Sequence, residues 1–183
     1  MTANGEIFNN NDYTAAHRTL PFNTYLNIIN RDNNYNVIVR VNDRGPYAKN
    51  RVIDLSEAAA RRIGGYHQGL VYVRLEVLNL LHPTKELVDL YHAHPLVDCM
   101  GNEAELKDFS LSLWSTHDLI HAIYVANDLY LKEPVDEVLI GIREKEGVKK
   151  YHIIISGIKN KASAAKMKDE FERKGFMNVK LYS

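Results

Sequence analysis

"YNVIVRVNDRGP" (residues 35–46) decides how the first half of the chain is read. Its β-branched run through Val41 reads as a strand. That strand delivers Asp43 to the end of a rigid element, and Gly45–Pro46 keeps the backbone from continuing past it. Asp43 also has a plain structural reading, since Asx residues routinely cap such turns. A carboxylate held there beside apolar neighbours can instead keep a proton near neutral pH, which suits an acid catalyst.

Working outward, "YLNIIN" (25–30) and "LVYVRLEVL" (70–78) read as further strands, and "RDNN" (31–34) as the hairpin turn between the first pair. One helix interrupts them in "DLSEAAARRIGG". Asp54 or Ser56 can cap it, its alanines propagate it, and Gly64–Gly65 ends it. Short crossed strands with a single helix suggest a small closed barrel over residues 1–80. Upstream, "TAAHRTLPF" (14–22) sets His17 beside Arg18 in a loop-rich segment, where a histidine alone carries little weight. His17 gains meaning only if it shares a groove with Asp43.

Composition narrows the partners. Of 183 residues 45% are hydrophobic and 25% charged, the profile of an ordinary globular chain. Lys plus Arg number 23 and Asp plus Glu number 23, so there is no electrostatic footprint for nucleic acid. No apolar run reaches the roughly 18 residues of a membrane span. Cys99 is the only cysteine, so no intrachain disulfide forms. "MTANGEIF" has no basic and apolar leader, so no signal peptide is expected within this chain.

Residues 81–106 lose the period-2 pattern and read as a linker with some local structure, "PTKELVDLYH" being a possible short helix. From residue 107 the order is strand "DFSLSLWS", helix "STHDLIHAIYVANDLYLK", strand "VDEVLIGIRE", strand "KYHIIISGI", helix "KASAAKMKDEFERKG" and strand "MNVKLYS". Ser115 and Asp118 form a possible capping box for the first helix. This βαββαβ order predicts a four-stranded antiparallel sheet backed by two helices. The expected fold class is therefore mainly β followed by α+β.

The motifs "TANGE", "TAAHRTLPF", "VRVNDRGPY" and "VIDLSEAAA", in that order over roughly the first 78 residues, resemble the rare lipoprotein A (RlpA) family. That resemblance implies a six-stranded double-psi β-barrel. The family's usual earlier strand is not matched here, which would leave one sheet edge open. Active members are lytic transglycosylases of peptidoglycan, so the resemblance implies Asp43 as catalytic acid/base with His17 as its partner, and Arg44 and Arg18 as groove residues. Glu6, in "NGE", matches a family position to which no role is assigned.

Residues 107–183 resemble a SPOR domain, which in several relatives follows the barrel and binds glycan strands stripped of stem peptides. There Ser110, Ser112 and Trp114 would share one sheet face with His152 beside them, the Trp stacking on sugar rings. Trp114 could equally pack under the helices, because alternation fixes a side but not which side. The resemblance further implies denuded peptidoglycan as partner, no metal, no other cofactor, and a place in the cell envelope, with a lipid anchor possible in the full-length protein. "HDLIH" (117–121) spaces two histidines as a zinc-protease helix does, but Asp replaces the Glu and no third ligand is evident, so it is read as surface histidines. "HAH" (92–94) with Cys99 and Asp98 matches no structural zinc spacing. A non-cutting, expansin-like binder and a structural adaptor at the division site remain alternatives.

Overall fold

The computed structural model describes residues 1–78 and 84–182. The chain divides into two compact units, residues 1–80 and 81–183. No described helix is long and apolar enough to cross a membrane.

The first unit contains β1 (Thr14–His17), β2 (Tyr25–Asn30), β3 (Asn36–Asp43), β4 (Ile53–Leu55), α1 (Glu57–Arg62) and β5 (Val73–Val77). Its sheet runs β4-β1-β3-β2-β5. β3 lies at the centre, antiparallel to β2 and parallel to β1, so Val37, Val39 and Val41 are buried on a strand flanked on both sides. Leu26, Ile28, Ala58, Ala59 and Ile63 complete this core. Ser56, rather than Asp54, caps α1, accepting from the Ala59 amide. Gly64 then takes a positive φ of 70° to end it.

Two expectations change here. The described residues form five strands rather than six, with β4 and β5 at the sheet edges. The stretch around His17 is not loop throughout: residues 14–17 form β1, held between β3 and β4 by pairing distant in sequence.

The second unit contains α2 (Lys85–His92), β6 (Leu96–Asp98), β7 (Phe109–Thr116), α3 (Leu119–Lys132), β8 (Glu137–Lys145), β9 (Val148–Ile158), α4 (Lys161–Arg173) and β10 (Lys180–Tyr182). The βαββαβ order is present, but the sheet has five strands, β10-β7-β9-β8-β6. The extra strand comes from the expected linker: Leu96, Val97 and Asp98 pair with Gly141, Ile140 and Leu139. Residues 84–106 are thus part of the second unit, and α2 gives it a third helix. Asp118 caps α3 by accepting from the His121 amide, so the capping box does not begin at Ser115. The core gathers Leu111, Leu113, Ile153, Ile155, Ala122, Ala126 and Phe171.

Candidate active site

Asp43 ends β3, and its carboxylate is held from one side only. Oδ1 accepts the backbone N–H of Ala3 at 2.8 Å and that of Arg44 at 2.8 Å. Oδ2 has no hydrogen-bond partner among the described residues. The side chain lines a groove of about 340 Å³ together with Ala16, Gly45, Tyr47, Arg51 and Asp54. A carboxyl with one oxygen fixed by two amides and the other unbonded is oriented without being neutralised. Gly45 carries the chain away at φ 141°, a conformation side chains disfavour, so the turn after Asp43 depends on glycine.

The two arginines expected at the groove bond to the backbone. Arg18 donates to the carbonyls of Pro46 at 2.7 Å, Ala48 at 2.6 Å and Arg51 at 3.1 Å. Arg44 donates to the carbonyls of His17 at 3.2 Å and Leu20 at 2.9 Å and lies 3.7 Å over the Phe22 ring. Both therefore brace the loops around the groove. A guanidinium has five donors and no lone pair, and here these hydrogen bonds of both go to loop and strand-end carbonyls.

His17 sits one residue beyond Ala16, the cross-strand neighbour of Asp43. Its Nδ1 accepts the amides of Thr19 at 3.3 Å and Leu20 at 3.1 Å. No hydrogen bond joins His17 to Asp43 among the described residues. Burial, with the Arg44 and Arg18 charges added, holds the imidazole below its usual range. A neutral ring with Nδ1 as acceptor must carry its proton on Nε2, which leaves that N–H as a donor.

Glu6 is the residue whose part the sequence left unassigned. Its carboxylate takes both Arg40 Nη1 and Nη2 at 2.8 Å and Asn42 Nδ2 at 3.1 Å. The Arg40 hydrogen bonds are the main reason its pKa falls to about 2, against a smaller opposing burial effect. The bond fastens the Thr2–Glu6 turn to β3, and that turn supplies the Ala3 amide to Asp43. Asp54, the other carboxylate of the groove, is paired with Arg51 at 3.1 Å.

Residues 1–75 match a family model described as lytic transglycolase. The endolytic peptidoglycan transglycosylase RlpA of Pasteurella multocida is 56% identical over 79 residues, 43% of this chain and 27% of the relative. The protein of the same name from Helicobacter pylori J99 is 58% identical over 77 residues, 42% of this chain and 24% of the relative. The first unit matches RlpA along nearly its whole length. The RlpA of Vibrio cholerae is 49% identical over 146 residues, 70% of this chain and 56% of the relative, a share too large for the first unit alone. The chain thus spans between about a quarter and just over half the length of these RlpA relatives. The double-psi β-barrel assignment of the first unit rests on the same match.

Beyond residues 1–75, the four second-unit positions expected on one glycan face do not share it. Trp114 is 7% exposed and its ring meets His121 of α3 edge-on at 4.9 Å between centroids. Ser110 is 2% exposed and bonded to Ser156 at 3.3 Å. The cause is two register irregularities in β7, one between Phe109 and Leu111 and one between Ser112 and Trp114. They pair Ser112 with Ile154 but Trp114 with Ile153, which puts the two side chains on opposite faces. Ser112 and His152 remain half-buried. His152 packs against Tyr182 at 5.9 Å, and Arg143 lies 4.7 Å over that same ring. Gly141 makes this possible, since a Cβ there would come within 2.7 Å of both Ile154 Cδ1 and Tyr182 Oη.

The remaining histidine motifs are engaged elsewhere. His117 donates from Nδ1 to the Lys149 carbonyl at 2.8 Å. His92 bonds the Tyr151 hydroxyl at 2.8 Å and accepts from Lys149 at 3.0 Å, and His94 pairs with Glu103 at 3.1 Å. Among the described residues no three His, Cys, Asp or Glu side chains cluster as a metal site would require.

Proposed function

We propose that the chain is an endolytic peptidoglycan transglycosylase with Asp43 as its single acid/base. The observation that carries this reading is the carboxylate with Oδ1 held by two amides and Oδ2 unbonded in the groove. Protonated Asp43 gives its proton to the glycosidic oxygen as the bond to C1 breaks. The carboxylate then takes the proton of the sugar's C6 hydroxyl as O6 closes onto C1, forming the 1,6-anhydro-muramic acid end. No water is consumed, and Asp43 finishes protonated for the next cycle.

A hydrolase would need two carboxylates working together. The second one available, Asp54, is engaged by Arg51, which supports chemistry that needs only one. His17 assists as a neutral donor, its Nε2–H bonding a sugar hydroxyl or the leaving oxygen once substrate is in place. Arg44 and Arg18 support the reaction by bracing the groove.

The second unit is proposed as a SPOR-like module that holds glycan strands lacking stem peptides. Its recognition face is reduced to Ser112 and His152, with Tyr182 and Arg143 added. Such a protein works in the cell envelope, in wall remodelling and daughter-cell separation. The reaction is tested by incubating the full chain with peptide-free glycan strands and reading the new ends by mass spectrometry. The proposal expects 1,6-anhydro ends. New reducing ends would make the protein a hydrolase, and binding without cleavage would favour the expansin-like alternative. For the second unit, His152→Ala is expected to weaken retention on denuded sacculi, and unchanged retention would refute that role.

A further inference from the structure

The groove that holds Asp43 is rimmed by two large aromatic side chains that nothing in the fold requires to be exposed. Tyr47 is 88% exposed and Phe8 is 49% exposed, yet both line the groove. They come from different segments, Phe8 after the N-terminal turn and Tyr47 after the turn that ends β3. Each segment is pinned by a charged side chain. Arg18 holds the Tyr47 loop by carbonyls before and after it, at Pro46, Ala48 and Arg51. Glu6, two residues before Phe8, is fastened to Arg40 and Asn42.

An exposed aromatic costs hydration unless something covers it, and one carried on a braced backbone leaves less loop freedom to lose on binding. The charges lining the groove balance, with Asp43 and Asp54 against Arg44 and Arg51. That balance suits an uncharged ligand better than a polyanion or a polycation. Flat apolar platforms beside hydrogen-bonding groups in a charge-neutral groove fit pyranose rings, whose C–H faces stack on aromatics while their hydroxyls meet polar atoms.

We infer that Tyr47 and Phe8 are sugar-stacking platforms that seat the glycan rings neighbouring the scissile bond over Asp43. The inference rests on the reading of this groove as a glycan-cleaving site and names the residues that bind within it. Arg18 and Glu6 are positioning residues for these platforms, acting through the loops they hold.

The test measures binding of purified peptide-free glycan strands to the full chain in an Asp43→Asn background, where turnover does not intervene. Tyr47→Ala and Phe8→Ala are each expected to weaken binding by about 10-fold, the size of one lost stacking contact. Tyr47→Phe and Phe8→Tyr keep the ring and should bind within about 2-fold of the parent, a rescue that general loosening of the loop would not give. In the otherwise wild-type chain the Ala variants should raise KM more than they lower kcat. If both Ala variants bind like the parent, the platforms are refuted whatever the wild type does to glycan. If they lose binding while the wild type forms no 1,6-anhydro ends, the platforms stand and the proposed reaction falls.

Discussion

The two units treat their polar and aromatic side chains in opposite ways. Around Asp43, Arg18, Arg44, Glu6 and His17 spend their hydrogen bonds on the scaffold, and one carboxylate oxygen is left unbonded in the groove. In the second unit the aromatic expected at the surface, Trp114, is buried against α3, and the partly exposed polar residues gather round Tyr182 instead. In the first unit polar bonding builds a groove, whereas in the second apolar packing builds a sheet whose open face is small. The contrast teaches that a polar residue near a site more often shapes it than touches what enters it.

The contrast can be broken most sharply at Trp114. As a core residue its replacement by Ala should destabilise the second unit by about 3–5 kcal/mol, read as a lower melting temperature. A Trp114→Ala protein that melts like wild type but no longer binds glycan would return Trp114 to the surface role. In the first unit, Glu6→Ala leaves Arg40 and Asn42 without their carboxylate. Because Glu6 is 41% exposed, the expected cost is only about 1–2 kcal/mol. Turnover should nevertheless fall, through loss of the Ala3 amide at Asp43, and Glu6→Gln should recover part of it. Equal activity in Glu6→Ala and wild type would show that the N-terminal turn stays in place without this bond. Arg18→Ala should cost about 1 kcal/mol or less of stability and show mainly as weaker glycan binding.

The smallest effect is a pH dependence of the second unit. Burial, reinforced by the Arg143 charge, pushes His152 down to about 4 from an ordinary 6.5. Between those values the unfolded chain binds a proton that the folded one does not. Stability should therefore fall as pH drops from about 6.5 towards 4 and level off below that. His152→Gln should flatten this window in a melting series, and an unchanged slope would place its origin in another group.

The sequence spoke clearly where local chemistry decided structure. The β-branched run of β3, the Gly-Pro turn after Asp43 and the cap at Ser56 all follow from neighbours in the chain. β1, β4 and β6 are only three or four residues long and form through partners elsewhere, so composition does not announce them. The bracing bonds of Arg18 are illegible for the same reason, since the carbonyls that hold it lie 28, 30 and 33 residues away. Trp114 was legible as a strand residue, but the irregularities that turn it inward depend on pairing with β9. The place of Asp43 at the end of β3 is legible because strand, carboxylate and turn are consecutive, whereas the surroundings of His17 depend on where β1 docks.

The central claim is that Asp43 alone moves the proton in the groove. It is tested most directly by comparing wild type with Asp43→Asn on peptide-free glycan strands, counting 1,6-anhydro ends by mass spectrometry and measuring binding on the same samples. The account predicts anhydro ends from wild type, none above background from Asp43→Asn, and equal binding by the two. Anhydro ends from Asp43→Asn at the wild-type rate would contradict it.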